Sequence, residues 1–199
     1  MNTHELYQHM SEKLFIEIFD YLYQKEKQAL NLAIQTLAVS RKLRPVFIQR
    51  KAKVDRARWV KVELAKKLNH VIGGNFLQYW FIGTQNEMLC CFLDNLGIAH
   101  KNNGEVDEMP EDVEKEKLAT AVNALFEKYD PEKLVLYLHA LISLEMVQWP
   151  ALVEMLASDA RLALPLQVSA LNRADSSAQA VAPAAQAQGA TEENSEPEA

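Results

Sequence analysis

The sequence predicts an all-α protein, with a single helical domain of about seven helices over residues 5–168 and a disordered acidic tail over residues 173–199. Three observations predict this class. Apolar residues recur with the 3.6-residue period of a helix along every long segment. Alternating apolar and polar runs, which are typical of strands, are absent, and glycine is scarce, with 6 residues in 199. Apolar residues make up 49% of the chain, which is enough to bury one core of ordinary size.

Two helices are expected before residue 43, each with one apolar stripe. The stripe of the first is Leu14, Phe15, Ile18, Phe19 and Leu22, and that of the second is Leu30, Ala33, Ile34 and Leu37. The second helix is expected to end near Leu43, because Pro45 biases Arg44 away from the helical conformation. A short basic connection follows.

The middle of the chain is expected to hold two helices separated by glycine. The first runs from about Val54 to Ile72, with Ala57, Val60, Leu64, Leu68 and Val71 on one stripe. Gly73 and Gly74 are expected to end or kink it. Residues 75–82 then form a helix that is buried nearly all round, because its aromatic residues are dense.

Capping residues indicate where later helices begin and end. Thr84 and Glu87 have the spacing of a capping box, which predicts a helix start. Gly97 is placed to end that helix in the left-handed conformation. Asp130 is an N-cap candidate, followed by Pro131, which suits the first helical position. Further helices are expected from about Glu111 and from Pro150.

From Arg173 onward there is no aromatic residue, and Val181 is the only large aliphatic one, so we expect a disordered tail.

The composition also bears on the location of the protein in the cell. The first ten residues have neither a basic nor an apolar region, and no apolar run approaches ~20 residues, so we expect no secretion signal and no membrane span. The only cysteines, Cys90 and Cys91, are adjacent and cannot form a disulfide framework, which favours the cytoplasm.

Charge is strongly segregated along the chain. Eleven of the 21 Lys and Arg residues lie between Arg41 and Lys67, among only two acids, Asp55 and Glu63. This basic segment has a net charge of +9, whereas the whole chain has −6. A globally basic nucleic-acid binder is therefore excluded, but a local basic patch is not.

The basic segment supplies the candidate binding residues. They are Arg41, Lys42, Arg44, Arg50, Lys51, Lys53, Arg56, Arg58 and Trp59. They could contact phosphates, with Trp59 or Phe47 stacking on bases, although the cations from Lys53 to Lys67 scatter around a helix. Alternatively they meet an acidic protein partner, pair internally with the acidic run Glu105–Glu116, or form a solvated face.

The sequence predicts no catalytic residue, no metal ligand and no cofactor. Side chains of adjacent helical residues diverge by ~100°, so Cys90 and Cys91 do not chelate together, and we interpret them as small buried apolar residues. The five histidines do not cluster, and phosphate-binding loops and nucleophile elbows are missing.

The favoured function is a non-enzymatic module that binds another protein. The alternative is a nucleic-acid-associated protein that uses Arg41–Lys67. The partner and the oligomeric state stay open.

Overall fold

The computed structural model of the protein describes residues 2–164, and in that range it contains ten α-helices, two 3-10 turns and no strand. The helices are α1 Thr3–His9, α2 Glu12–Lys25, α3 Lys27–Ser40, α4 Pro45–Gln49, α5 Lys53–Leu64, α6 His70–Thr84, α7 Asn86–Leu96, α8 Lys115–Lys128, α9 Pro131–Ser143 and α10 Pro150–Ser158. The 3-10 turns are Lys67–Asn69 and Ala160–Leu162. The all-α class is confirmed, with three helices more than expected. Residues 165–168 of the expected domain, and the expected tail, lie outside the described residues.

One continuous core joins the helices. Helix α6 is central and packs against α1, α2, α5, α7 and α9, while α7 packs along α8. The largest side chains with almost no exposure include Trp80, Trp149, Tyr7, Phe15 and Phe19. No helix among residues 2–164 is long and apolar enough to span a membrane.

Helix α1, which the sequence pattern did not predict, explains the first of the two central glycines. Leu6 and Tyr7 of α1 are buried, and the Tyr7 hydroxyl donates a hydrogen bond to the Gly73 carbonyl at 2.7 Å. A Cβ atom on Gly73 would lie 2.7 Å from Cε2 of Tyr7. The expected break at Gly73 and Gly74 is therefore wrong. Helix α6 continues through both glycines. Gly73 allows close packing of α1, and Gly74 allows close approach of Leu144, whose Cδ2 atom would lie 2.8 Å from a Cβ atom at that position.

The helix expected over residues 54–72 is interrupted. Helix α5 ends at Leu64, and a 3-10 turn leads into α6. The side-chain amide of Asn69 donates a hydrogen bond to the Glu63 carbonyl at 2.7 Å, which satisfies a carbonyl at the end of α5. As a result, Leu68 and Val71 do not continue the buried stripe and are 92% and 61% exposed.

The capping predictions have mixed outcomes. Thr84 is the last residue of α6, its hydroxyl donates to the Trp80 carbonyl at 2.8 Å, and α7 begins only at Asn86. The prediction that Thr84 and Glu87 form a capping box is therefore wrong. Gly97 does end α7 in the left-handed conformation, with φ of 72°. Asp130 caps α9 as predicted.

Candidate protein-interaction surface

The basic segment spans the end of α3, the short helix α4 and the whole of α5. Helix α4 begins at Pro45, whose fixed φ suits a first helical position, and ends after five residues. Lys42, with φ of 56°, has the left-handed conformation that ends α3. These turns present the segment on the outside of the core, where its cations divide into a paired and an unpaired group.

A buried carboxylate holds two of the cations. Glu63 is 3% exposed, and its Oε1 atom lies 3.4 Å from Nε of Arg41 and 2.5 Å from Nζ of Lys66. This contact joins the end of α3 to the end of α5. Arg41 and Lys66 are therefore part of the folded framework, since a buried carboxylate without a cation is costly.

Two more cations pair with acids of α2. Lys53 lies 2.9 Å from Asp20, and Arg58 lies 2.7 Å from Glu12. Both pairs are largely exposed, so each contributes little to stability. They nevertheless neutralise two of the candidate binding residues and orient α5 against α2.

Backbone carbonyls hold two others. The guanidinium of Arg56 donates to the carbonyls of Gln49 and Lys51 at 2.7 and 3.2 Å, which fixes the connection between α4 and α5. Lys61 donates to the Met10 carbonyl at 2.7 Å, and burial lowers its pKa. Neither side chain is free for a ligand.

The acidic run Glu105–Glu116 does not pair with the basic segment in any ion pair of the described residues. Lys101, which precedes the run, lies 3.6 Å from Glu105 and 3.2 Å from Asp107. The internal pairing hypothesis is therefore wrong about the partner. The basic segment does pair internally, but with acids of α2 and α5, because these helices pack against each other.

Four exposed cations remain beside α4, namely Lys42, Arg44, Arg50 and Lys51. No carboxylate among residues 2–164 forms an ion pair with any of them. Two precede α4 and two follow it, so positive charge flanks this helix at both ends.

Between these cations, α4 exposes apolar side chains. Ile48 is the one α4 residue that is buried, at 2% exposure, because a five-residue helix turns only one side to the core. Leu43, Val46 and Phe47 are 41%, 40% and 56% exposed. We call these three residues, together with Lys42, Arg44, Arg50 and Lys51, the α4 surface.

The structure separates the two aromatic candidates and adds two aliphatic residues. Trp59 is half-buried and packs against the core, whereas Phe47 is mainly exposed. Leu43 and Val46 were not predicted as binding residues. The signal for them was the presence of three large apolar residues, Leu43, Val46 and Phe47, inside a strongly basic stretch.

The cysteines have no catalytic geometry. Both thiols are free and half-buried, more exposed than the sequence pattern predicts. The Cys90 thiol faces the Asn102 carbonyl at 3.4 Å, and burial together with Asp94 raises its pKa, so the thiolate is disfavoured. In the described part of the chain, no three His, Cys, Asp or Glu side chains come together as a metal site.

His100 lies near Cys90 but cannot activate it. Its Nε2 atom is 3.1 Å from Asp94 and its Nδ1 atom is 2.7 Å from the Lys101 carbonyl. Both nitrogens therefore face acceptors, which favours the imidazolium and raises the pKa of His100. No ring nitrogen is left to accept the thiol proton, and the two hydrogen bonds of His100 hold the loop after α7.

Comparison with protein-family models, with curated proteins and with solved structures gives no match for this chain. The α4 surface is therefore interpreted from its own composition. It combines exposed aliphatic and aromatic side chains with four cations that have no carboxylate partner among residues 2–164. Charge and apolar contact can both contribute to binding there.

Proposed function

We propose that the protein is a non-enzymatic interaction module that binds an acidic protein segment through the α4 surface. The observation that carries the proposal is the exposed group Leu43, Val46 and Phe47 beside cations without an acidic partner in the described residues. Apolar side chains of the partner would bury these three residues. Its carboxylates would meet the flanking cations, which favour fast association and a defined orientation.

The aliphatic residues favour a protein over a nucleic acid. Bases bind by stacking on aromatic faces, and Leu43 and Val46 offer none. Trp59, the other aromatic candidate, already packs against the core. Moreover, six of the eleven cations of the basic segment already contact carboxylates or carbonyls of residues 2–164, so just over half of its charge is already engaged within the protein. A protein segment with both apolar and acidic residues complements the surface better.

A reducing compartment suits this function. The chain has two cysteines, which are adjacent in sequence and carry free thiols. Neither the α4 surface nor the core uses a disulfide in the described residues. We therefore propose that the protein acts in the cytoplasm.

The test is a selection from a displayed library of random peptides of about 16 residues, using the full chain at about 150 mM salt. We expect the selected peptides to combine Asp or Glu with Leu, Ile or Phe. A fluorescein-labelled selected peptide then gives dissociation constants for variants. Phe47→Ala, and separately the pair Lys42→Glu with Arg44→Glu, should weaken binding by about tenfold or more, which corresponds to about 1.4 kcal/mol.

The matched control is the pair Lys13→Glu with Lys27→Glu, which makes the same change in net charge at two exposed lysines outside the α4 surface. It should leave binding within about twofold. Labelled single-stranded and duplex DNA of about 30 nucleotides are measured in parallel. If no peptide is enriched, while DNA binds and is lost in the α4 variants, the protein is a nucleic-acid binder and the proposal is wrong. Equal losses in the control and the α4 variants also contradict it.

A further inference from the structure

Helices α3 and α6 are almost without charge. Among the 14 residues of α3 and the 15 of α6, Lys27 is the only Asp, Glu, Lys or Arg. In the whole chain, by contrast, 24% of residues are charged. Both helices have outward-facing residues, so burial in the core does not explain this composition.

Residues of the two uncharged helices line one surface groove. Leu32 and Thr36 of α3 line one side of it, and Asn75 and Tyr79 of α6 line the other. Leu32 is 65% exposed and Tyr79 is 42% exposed. We call the groove and these outward side chains the α3–α6 face.

The exposed apolar residues of this face are not needed by the fold. Helix α3 already buries Leu30, Ile34 and Leu37 in the core, and Leu32 points away from that stripe. A polar residue at position 32 would cost the monomer little. Contiguous exposed apolar surface on a soluble domain marks an interaction site.

We propose that the α3–α6 face binds the same face of a second copy, which makes the protein a homodimer. In a twofold dimer each patch meets itself, so any charge near the axis faces a like charge. A chain with a net charge of −6 can bring two copies together most easily where neither copy is charged. An acidic or basic partner, in contrast, would find no complementary charge on this face.

The composition of the face also fits a second copy as its partner. Interface centres are depleted of charged residues, as this face is, and tyrosine, which Tyr79 supplies here, is favoured in them. The α3–α6 face and the α4 surface share no residue.

The test is the molar mass of the full chain in solution, by sedimentation equilibrium from about 1 to 200 µM. We expect a reversible dimer for the wild type. Leu32→Glu on α3, and separately Asn75→Arg on α6, should raise the dimer dissociation constant by about 100-fold or more, because each places two unpaired like charges in a closed interface. Both positions are exposed, so the monomer fold is kept.

The matched control is Val153→Glu on α10, which introduces the same charge at a position that is 50% exposed and lies outside the face. It should leave the dissociation constant within about twofold, and circular dichroism should show equal helix content in all four proteins. The proposal is overturned if the wild type stays monomeric up to about 200 µM. It is also overturned if the wild type is a dimer that neither Leu32→Glu nor Asn75→Arg weakens.

Discussion

At the scale of single residues, Asp130 shows how one side chain begins a helix and anchors it. Its Oδ1 atom accepts hydrogen bonds from the backbone N–H groups of Glu132 and Lys133 at 2.9 and 3.2 Å. The Glu132 carboxylate in turn accepts from the backbone N–H and the hydroxyl of Ser11, which is the N-cap of α2. The starts of α9 and α2 are therefore joined.

Asp130→Ala should lower the free energy of unfolding by ~1 kcal/mol, because it removes the acceptor for N–H groups in the first turn of α9. Urea denaturation measures the change. Asp130→Asn is the control, since its side-chain oxygen can cap equally well. An alanine variant as stable as the asparagine variant would show that the cap contributes nothing.

His139 gives the molecule a pH dependence. It is 4% exposed, its Nε2 atom lies 2.9 Å from the Leu162 carbonyl, and burial, with a smaller effect from His9, lowers its pKa. The fold therefore favours neutral imidazole. The stability that depends on neutral His139 is present above about 6.5, the pKa of a histidine in the unfolded chain. It is lost as the pH falls below that value.

Lowering the pH from about 7.5 to 5.5 should therefore destabilise the wild type more than His139→Gln. Glutamine can still donate to the Leu162 carbonyl but does not titrate. Urea midpoints of both proteins are measured at the two pH values. Subtracting the change in His139→Gln from the change in the wild type cancels the carboxylate titrations that the two proteins share. An identical pH dependence in both proteins would mean that His139 has the same pKa in the folded and the unfolded chain, so that burial does not disfavour its protonation.

At the scale of elements, the contact between α1 and α6 depends on a missing side chain. Gly73 lies within α6, where alanine is the better helix former by up to ~1 kcal/mol. Its Cβ atom would nevertheless lie 2.7 Å from the ring of Tyr7, which is 1% exposed and is held by its hydrogen bond to the Gly73 carbonyl. The buried ring has no open space to move into.

Gly73→Ala should therefore destabilise the protein by ~1–3 kcal/mol, because overpacking outweighs the gain in helix propensity. The matched control is Gln78→Ala, at an exposed position of the same helix, which should change stability by less than ~0.5 kcal/mol. Thermal melting of both variants measures the effect. A Gly73→Ala protein that melts above the wild type would mean that α1 does not pack on α6 as described.

At the scale of the whole molecule, the segregated charges have two roles. Some cations hold helices together: Arg41 joins the end of α3 to Glu63 of α5, and Arg58 joins α5 to Glu12 of α2. Arg56 fixes the connection after α4 through backbone carbonyls. Arg50 and Lys51 form no ion pair within residues 2–164. The fold therefore requires only part of the basic segment.

The double reversal Arg50→Glu with Lys51→Glu should change the free energy of unfolding by less than ~0.5 kcal/mol. Arg56→Ala should lower it by ~1–2 kcal/mol, since it leaves hydrogen-bond acceptors of the α4–α5 connection without their donor. Urea denaturation at low and high salt compares the two. A salt-sensitive loss in the double reversal would show that these cations do pair with acids of the same chain.

The sequence by itself determined the features that depend on neighbours within about four residues. The helical class follows from the 3.6-residue period. Gly97 determines where α7 ends, and Asp130 determines where α9 begins. The charge segregation follows from direct counting. These are local effects of backbone geometry and capping. They hold regardless of which helices pack together.

Tertiary structure alone decided which surface each residue faces. Gly73 is closely packed because α1, 66 residues earlier in the chain, lies against it. The fold brings Arg41, at the end of α3, to the buried Glu63, and it leaves Leu32 exposed because no part of residues 2–164 covers that side of α3. Such outcomes depend on contacts between residues far apart in the chain, which a periodic pattern does not encode. Both proposed interaction surfaces belong to this second kind.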